Sequence, residues 1–154
     1  MYCKFYFVSD PSFCLKRFEI SDSPFKGTMK RRAAGQIMFI VSKVKDFLEG
    51  KLKVLPVGDL DLSGLTDFEK KVLCELRKNV TFGKTASYSE LANFAGSQGA
   101  ARAVGNVMNK NPFPLFFPCH RVINADGSLG GFGAGTELKI KLLENEKKLC
   151  DMKK

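Results

Sequence analysis

The sequence has a single histidine, His120, and its five cysteines include no closely spaced pair. One histidine excludes sites built from several imidazoles, and an odd number of separated cysteines favours neither a disulfide framework nor a zinc knuckle. No apolar run reaches the roughly eighteen residues that a membrane helix needs, and the N-terminus lacks the apolar core of a signal peptide. We therefore expect reduced thiols, no bound metal, no membrane association, and a place in the cytoplasm, or in the nucleus of a eukaryote.

Length and charge narrow the class of protein further. The 154 residues, 44% of them hydrophobic, suffice for one domain or for two small ones that share a core. The net charge of +9 indicates a polyanionic partner. Between residues 77 and 121, six lysines and arginines accompany one carboxylate, so more than half of the excess charge falls in this stretch. That distribution suits a phosphate backbone.

Three prolines frame an apolar run that leads to one cysteine and the only histidine: Asn111-Pro112-Phe113-Pro114-Leu115-Phe116-Phe117-Pro118-Cys119-His120-Arg121. Each proline fixes φ and removes a backbone donor, so the run predicts an extended, rigid approach to Cys119. Cationic neighbours such as His120 and Arg121 lower the pKa of a thiol, which would make Cys119 a nucleophile. The alternative is a small buried side chain, because free cysteine is among the most buried residue types.

Two capping boxes, Thr66-Asp67-Phe68-Glu69 and Ser87-Tyr88-Ser89-Glu90, predict the starts of helices in the second half of the chain. Another helix is expected from 99 to 109, after a turn at Gly96. A short helix, a glycine-bearing turn and a second helix form the helix-turn-helix pattern. A last helix is expected from about 136 to 149.

The first part of the chain has the patterns of a small sheet and one helix. Residues 2–8 and 13–20 predict a hairpin, residues 26–32 a basic loop, and residues 37–48 a helix. The predicted fold class is α+β. A small N-terminal sheet-plus-helix (α/β) domain, 1–62, would support a mostly helical C-terminal domain, 63–154, with a winged-helix-like helix-turn-helix.

The Pro-Cys-His-Arg string, with Asn-Pro-x-Pro before it and Val122 after it, resembles the active-site signature of the O6-alkylguanine-DNA alkyltransferases, or methylguanine-DNA methyltransferases. The likeness covers about the C-terminal half, through Phe82-Gly83-Lys84, Ser87-Tyr88, Ala100-Ala101-Arg102-Ala103-Val104-Gly105 and Glu146. It implies DNA repair by direct reversal, in which an alkyl group moves irreversibly from O6 of guanine, or O4 of thymine, to Cys119. The implied partner is double-stranded DNA containing O6-alkylguanine, and the implied enzyme is a single-turnover monomer without a cofactor.

The resemblance also implies roles at the catalytic centre. His120 would act on Cys119 through a water, with Glu146 orienting the imidazole. Tyr88 would donate to N3 of the leaving guanine. Asn111 would hold the turn between the recognition helix and the active-site segment.

For DNA, the resemblance implies that the small residues Ala101 and Gly105 bring the recognition helix close to the minor groove, while Arg102 replaces an extruded base. Carbonyls of Cys119 and Val122 and the amide of Gly133 would bind the edge of that base. The remaining substrate or DNA contacts are expected at Pro114, Phe132 and Arg121. Relatives commonly carry Tyr-Ser where this chain has Phe132-Gly133, so a hydroxyl contact to the base is lost. The resemblance therefore does not predict the affinity for the base or the range of substrates.

Two other functions fit the same residues. A non-catalytic helix-turn-helix sensor of alkylated DNA would bind the lesion without taking up the alkyl group. A cysteine acyl-transfer enzyme or peptidase would use Cys119 differently, although such enzymes normally bring their histidine from a distant part of the chain. The glycine-rich stretch 127–135 contains no Gly-Lys-Ser/Thr, which argues against nucleotide hydrolysis.

Overall fold

A hairpin and a helix form the N-terminal part of the protein. A computed structural model describes residues 2–7, 15–21, 24, 34–58 and 60–152. β1 (Tyr2–Phe7) pairs antiparallel with β2 (Leu15–Ser21), which confirms the predicted hairpin, while its connection and the predicted basic loop lie outside the described ranges. α1 (Ala34–Leu48) follows, with its buried residues at helical spacing as predicted: Ile37, Ile40, Val44 and Phe47.

The C-terminal part contains the predicted helix-turn-helix. α2 (Asp67–Asn79) and α3 (Tyr88–Phe94) each begin at a complete capping box, in which the N-cap hydroxyl and the third residue's carboxylate each bond the other's backbone amide. α4 (Ala101–Lys110) starts two residues later than its pattern predicts, because Gly99 has a φ of +82° and still belongs to the turn. α3 packs against both α2 and α4.

One hydrophobic core joins the two predicted segments, 1–62 and 63–154. The Phe18 amide in β2 donates to the Pro112 carbonyl at 2.8 Å, and the Phe18 ring meets Phe116 edge to face, with centroids 5.3 Å apart. Arg77 of α2 donates to the carbonyls of Leu55 and Phe116 at 2.6 and 3.1 Å. The N-terminal strand is therefore fixed directly to the segment that leads to Cys119.

That segment is a folded loop, not the extended approach that its prolines predict. Phe113, Leu115, Phe116 and Phe117 are all at most 3% exposed, whereas a strand would send alternate side chains to opposite faces. Burying all of them requires the chain to reverse. Leu115 takes the left-handed conformation, with a φ of +72°, and the Phe117 amide donates to the Phe113 carbonyl at 3.0 Å. A non-glycine residue in this conformation costs about 1–2 kcal/mol, which the burial offsets.

A short parallel pair of strands joins the cysteine to the helix-turn-helix. β3 (Ala86–Ser87) precedes α3 directly, and β4 (Val122–Ile123) follows a 3₁₀ turn formed by Cys119–Arg121. α5 (Thr136–Asp151) then packs against that turn. Within the described residues, no helix has the length and apolar character needed to cross a membrane.

The turn between α2 and β3 offers a test of packing against α5. Gly83 has a φ of +78°, and a β-carbon there would lie 2.5 Å from Cys150 Sγ. Gly83→Ala should lower the free energy of unfolding by about 1–2 kcal/mol through backbone strain and by about 1–3 kcal/mol more through overlap, as measured by urea denaturation.

Gly127 supplies the matched control, because its φ is +84° and a β-carbon there would have no neighbour within 4 Å. Gly127→Ala should cost only the backbone strain. Adding Cys150→Ala to Gly83→Ala should recover the excess loss. Equal losses in the two single variants would refute the tight contact.

Candidate active site

The 3₁₀ turn sends three consecutive side chains in three directions. Successive residues of such a turn are about 120° apart, so the three side chains leave the turn in different directions, although those of His120 and Arg121 both reach Glu146. All three are buried, with exposures of 5%, 0% and 2%. Each bonds residues elsewhere in the chain.

Asn111 holds the cysteine at the end of α4. Its Nδ2 lies 3.1 Å from Cys119 Sγ and 2.8 Å from the Phe117 carbonyl, while its Oδ1 accepts from the Phe113 amide at 3.0 Å. Because Asn111 is also the C-cap of α4, this one side chain links the helix to the sulfur. The predicted role of Asn111 at this turn has a clear geometric basis.

The thiol itself is not ionised at rest. Burial raises the pKa of Cys119 to about 11, although the Asn111 hydrogen bond, the nearby Lys139 charge and backbone amides oppose the rise. The expectation that His120 and Arg121 lower this pKa is therefore wrong, because burial outweighs the opposing contacts and Arg121 is paired with Glu146. Cys119 needs a group that removes its proton during reaction.

His120 is bound to Glu146 in the interior. His120 Nε2 lies 2.8 Å from Glu146 Oε1, and Glu146 is 2% exposed. Its neighbour Glu144 is exposed on α5, so the structure distinguishes the two carboxylates. The Gly83 amide donates to Glu146 Oε2 at 2.9 Å and fixes the second oxygen.

The protonation states follow from these contacts. Burial favours a neutral Glu146, but the bonds and charges of His120 and Arg121 outweigh it and lower the pKa of that carboxyl. Burial lowers the pKa of His120, and the Glu146 bond only partly compensates. A carboxylate accepts hydrogen, so Nε2 carries the proton and Nδ1 keeps its lone pair. Nδ1 is buried and bonds no protein group, which leaves a proton acceptor at the centre of the site.

Arg121 is buried and Arg77 is half-buried, and both guanidinium groups are bonded within the protein. The Arg121 guanidinium bonds both oxygens of Glu146 at 3.0 Å and donates to the Val80 carbonyl at 2.9 Å. Its position does not support the expected contact of Arg121 with substrate or DNA. Arg77 is likewise engaged with backbone carbonyls. The remaining cations of the stretch are exposed: Lys78, Lys84, Arg102 and Lys110.

Lys139 is a site residue that the sequence reasoning missed. It is 0% exposed, and its Nζ donates to the carbonyls of Val122, at 2.6 Å, of Leu129, and of Gly131, at 3.5 Å. It thus ties the glycine-rich loop to the strand after Cys119. Its helical spacing from Leu142 and Glu146 places it on the inward face of α5, which was the available signal.

A cavity of about 400 Å³ opens onto Cys119. The end of α4 and the loop after it form one wall, with Asn111 and Pro114. The glycine-rich loop forms the second with Phe132 and Gly133, and β2 forms the third. Carboxylates, thiols and imidazole do not converge in threes anywhere in the described ranges, so no metal-ligand set is present there.

A family model described as "6-O-methylguanine DNA methyltransferase, DNA binding domain" matches residues 67–148, which contain the 3₁₀ turn, Asn111 and Glu146. The chain belongs to this methyltransferase family. The methylated-DNA–protein-cysteine methyltransferases of Methanothermobacter thermautotrophicus and Mycobacterium leprae are 38% and 43% identical to it over 107 residues, or 70% of the chain. The chain spans 59% and 63% of their lengths.

The fold agrees with that family. A crystal structure of Mycobacterium tuberculosis OGT in complex with DNA matches with a TM-score of 0.73 and 31% identity, over 96% of this chain and 93% of the other. Because this match extends beyond residues 67–148, it includes the N-terminal hairpin region as well as the methyltransferase segment. The α+β fold class is thereby confirmed.

The other residues expected from the methyltransferase resemblance lie at the start of α3, in the glycine-rich loop and on α4. Tyr88, half-buried at the start of α3, has a pKa raised by burial and by its proximity to Cys119, although it does not line the cavity. Gly105 and Gly130 lie on either side of Tyr88, and a β-carbon at Gly130 would be 2.9 Å from its hydroxyl. Ala101 and Arg102 open α4, with Arg102 exposed.

Lys139→Met removes the charged donor while keeping a long side chain. The carbonyls of Val122 and Leu129 would then lack their buried partner, which should cost roughly 1–3 kcal/mol of unfolding free energy. Lys147→Met, at an exposed position of the same helix, is the control and should melt like the unaltered protein. If the two variants have the same melting temperature, the bonds from Lys139 to the Val122 and Leu129 carbonyls do not stabilise the protein.

Proposed function

We propose that the protein repairs DNA by moving an alkyl group from O6 of guanine to Cys119. The observation that carries the proposal is the buried arrangement of Cys119, His120 and Glu146 at a cavity large enough for a small molecule, in a chain of the methyltransferase family. The partner would be double-stranded DNA containing O6-alkylguanine. It would act as a monomer without a cofactor, in the compartment that holds the DNA.

The resting thiol requires a proton acceptor, and His120 supplies one. Its Nδ1 has a lone pair and no protein partner. A water between Nδ1 and Cys119 Sγ would donate a hydrogen bond to this nitrogen and would carry the thiol proton to it. Glu146 stabilises the imidazolium that forms. Asn111 Nδ2, 3.1 Å from the sulfur, and the charge of Lys139 stabilise the thiolate.

In the transfer step the Cys119 sulfur forms a bond to the alkyl carbon as the bond from that carbon to O6 breaks. The electron pair of the broken bond goes to guanine, and Tyr88 donates to N3 of the leaving base. Cys119 keeps the alkyl group as a thioether, which has no easy route of hydrolysis. Each chain therefore acts once.

The DNA-binding surface would be the exposed face of α4. Ala101 and Gly105 leave room for the backbone of the helix to approach a groove, and Arg102 is long enough to replace a base that has left the stack. Exposed lysines at 78, 84 and 110 add phosphate contacts that carry no sequence preference. Recognition would depend on the extruded base and not on the surrounding sequence.

Intact-mass analysis after mixing with duplex DNA containing O6-methylguanine tests the proposal. We expect the mass of one methyl group per chain, located on Cys119, and none in Cys119→Ala. Binding of the lesion without mass gain would favour the sensor. A thioester formed with activated esters would favour acyl transfer, and methylation of Cys74 or Cys150 would contradict the site.

The rate of transfer should follow the protonation of His120 and not that of the free thiol. Because burial lowers the pKa of His120 below its ordinary value of about 6.5, its acceptor form predominates at neutral pH, and the rate should be level from about pH 7.5 to about pH 9. Acidification should reduce the rate. In His120→Gln the rate should rise with pH towards the raised pKa of Cys119. The same rising profile in the unaltered protein would exclude the relay.

Arg102→Ala should slow repair of duplex DNA by about tenfold or more while leaving the reaction with free O6-benzylguanine unchanged. A base outside the stack needs a replacement, since unstacking costs a few kcal/mol, whereas a free base never leaves a duplex. Arg102→Lys should show an intermediate loss. Single-turnover kinetics on both substrates measure the difference, and equal slowing would place Arg102 in folding or in the pocket.

A further inference from the structure

The wall of the Cys119 cavity formed by β2 comes from a different part of the chain than the other two walls. Asn111, Pro114 and the loop at 132–134 all fall within residues 67–148, which the methyltransferase family model matches. Residues 17–21 of β2 also line the cavity but lie outside that range. The β2 wall therefore comes from outside the matched segment, and a wall that does not hold the reacting groups is suited to setting substrate range.

This wall is held in place relative to the sulfur. The Phe18 amide bonds the Pro112 carbonyl at 2.8 Å, and Phe18 and Ile20 are buried in the common core. Side chains alternate along a strand, so Arg17 and Glu19 project from the face opposite Phe18. β2 thus presents two charged side chains from a fixed backbone.

Arg17 and Glu19 are the two charged side chains among the described residues that line the cavity. Arg17 Nε lies 2.8 Å from Glu19 Oε1, with side-chain exposures of 60% and 28%. An ion pair this exposed contributes little to stability, so either partner can be exchanged for a charged group on a ligand. The facing loop offers Phe132 and Gly133, which carry no charge to compete.

The cavity also has room for more than a methyl group. About 400 Å³ falls in the range of roughly 300–1,000 Å³ that holds drug-sized ligands, and an extruded guanine with a substituent longer than methyl is within that size class. A longer substituent on O6 would extend from Cys119 towards one of the walls. On the β2 side its far end would meet Arg17 and Glu19.

We propose that Arg17 and Glu19 are specificity-determining residues that select O6 substituents by the charge at their far end. When a substituent ends in a carboxylate, the Arg17 guanidinium leaves Glu19 and pairs with that carboxylate. Glu19 weakens this binding because it competes for the same guanidinium. The proposal rests on the proposed alkyl transfer to Cys119. It concerns which alkyl groups are taken, and not the transfer itself.

The experiment measures single-turnover alkylation by duplexes that carry O6-carboxymethylguanine or O6-methylguanine, and compares the ratio of the two rates within each variant. Arg17→Gln should lower the ratio about two- to fivefold, the size expected of an exposed ion pair, and Glu19→Gln should raise it by a similar factor. Arg17→Lys should keep most of the ratio. Lys16→Gln is the control for Arg17→Gln, because it removes one positive charge from the neighbouring residue, which does not line the cavity. It should leave the ratio unchanged.

Salt separates this role from a structural one. Raising the ionic strength should shrink the differences among the variants, because exposed charges are screened. Ratios that are the same in Arg17→Gln, Glu19→Gln and Lys16→Gln would overturn the proposal while methyl transfer continues. If the unaltered protein takes up no methyl group, the proposed function fails and this inference fails with it.

Discussion

The site depends on one buried carboxylate. Glu146, on α5, is bonded by His120 and by the Arg121 guanidinium from the 3₁₀ turn, and by the Gly83 amide from the turn after α2. A buried charge is tolerated only when it is paired and its oxygens are bonded, and here both oxygens are. The same contacts that make Glu146 tolerable fix the imidazole next to Cys119, so folding and the chemistry of the site share one network.

Around this network, Cys119 is a neutral thiol in the resting protein. Burial keeps Cys119 as a thiol, with a pKa of about 11, while the imidazole beside it stays neutral with a free nitrogen. In the proposed transfer the proton would pass to His120, and Asn111 and the charge of Lys139 would stabilise the thiolate. Asn111 also ends α4, so the sulfur and the end of this helix are linked through one amide.

Local sequence patterns predicted the local structure well. Both capping boxes, the helix-turn-helix and the buried face of α1 were predicted because each depends on residues within a few positions of one another. Arg121 was expected at the substrate or DNA but is paired with Glu146, because charge in a sequence does not reveal a partner that folding brings from 20 or more residues away. The extended approach to Cys119 was wrong because prolines fix φ but not the reversal at Leu115 that burial of four apolar side chains requires. The inward position of Lys139 could have been predicted from its helical spacing to Leu142 and Glu146. Nothing in the sequence indicated that β2 would line the cavity.

Because the chain has one histidine, its imidazole can be observed alone. Nitrogen NMR of protein labelled at histidine with ¹⁵N reports the protonation of both ring nitrogens of His120 directly. At neutral pH we expect a neutral ring with hydrogen on Nε2 and a free lone pair on Nδ1. An imidazolium, or a ring with hydrogen on Nδ1, would leave Cys119 without its proton acceptor and contradict the account.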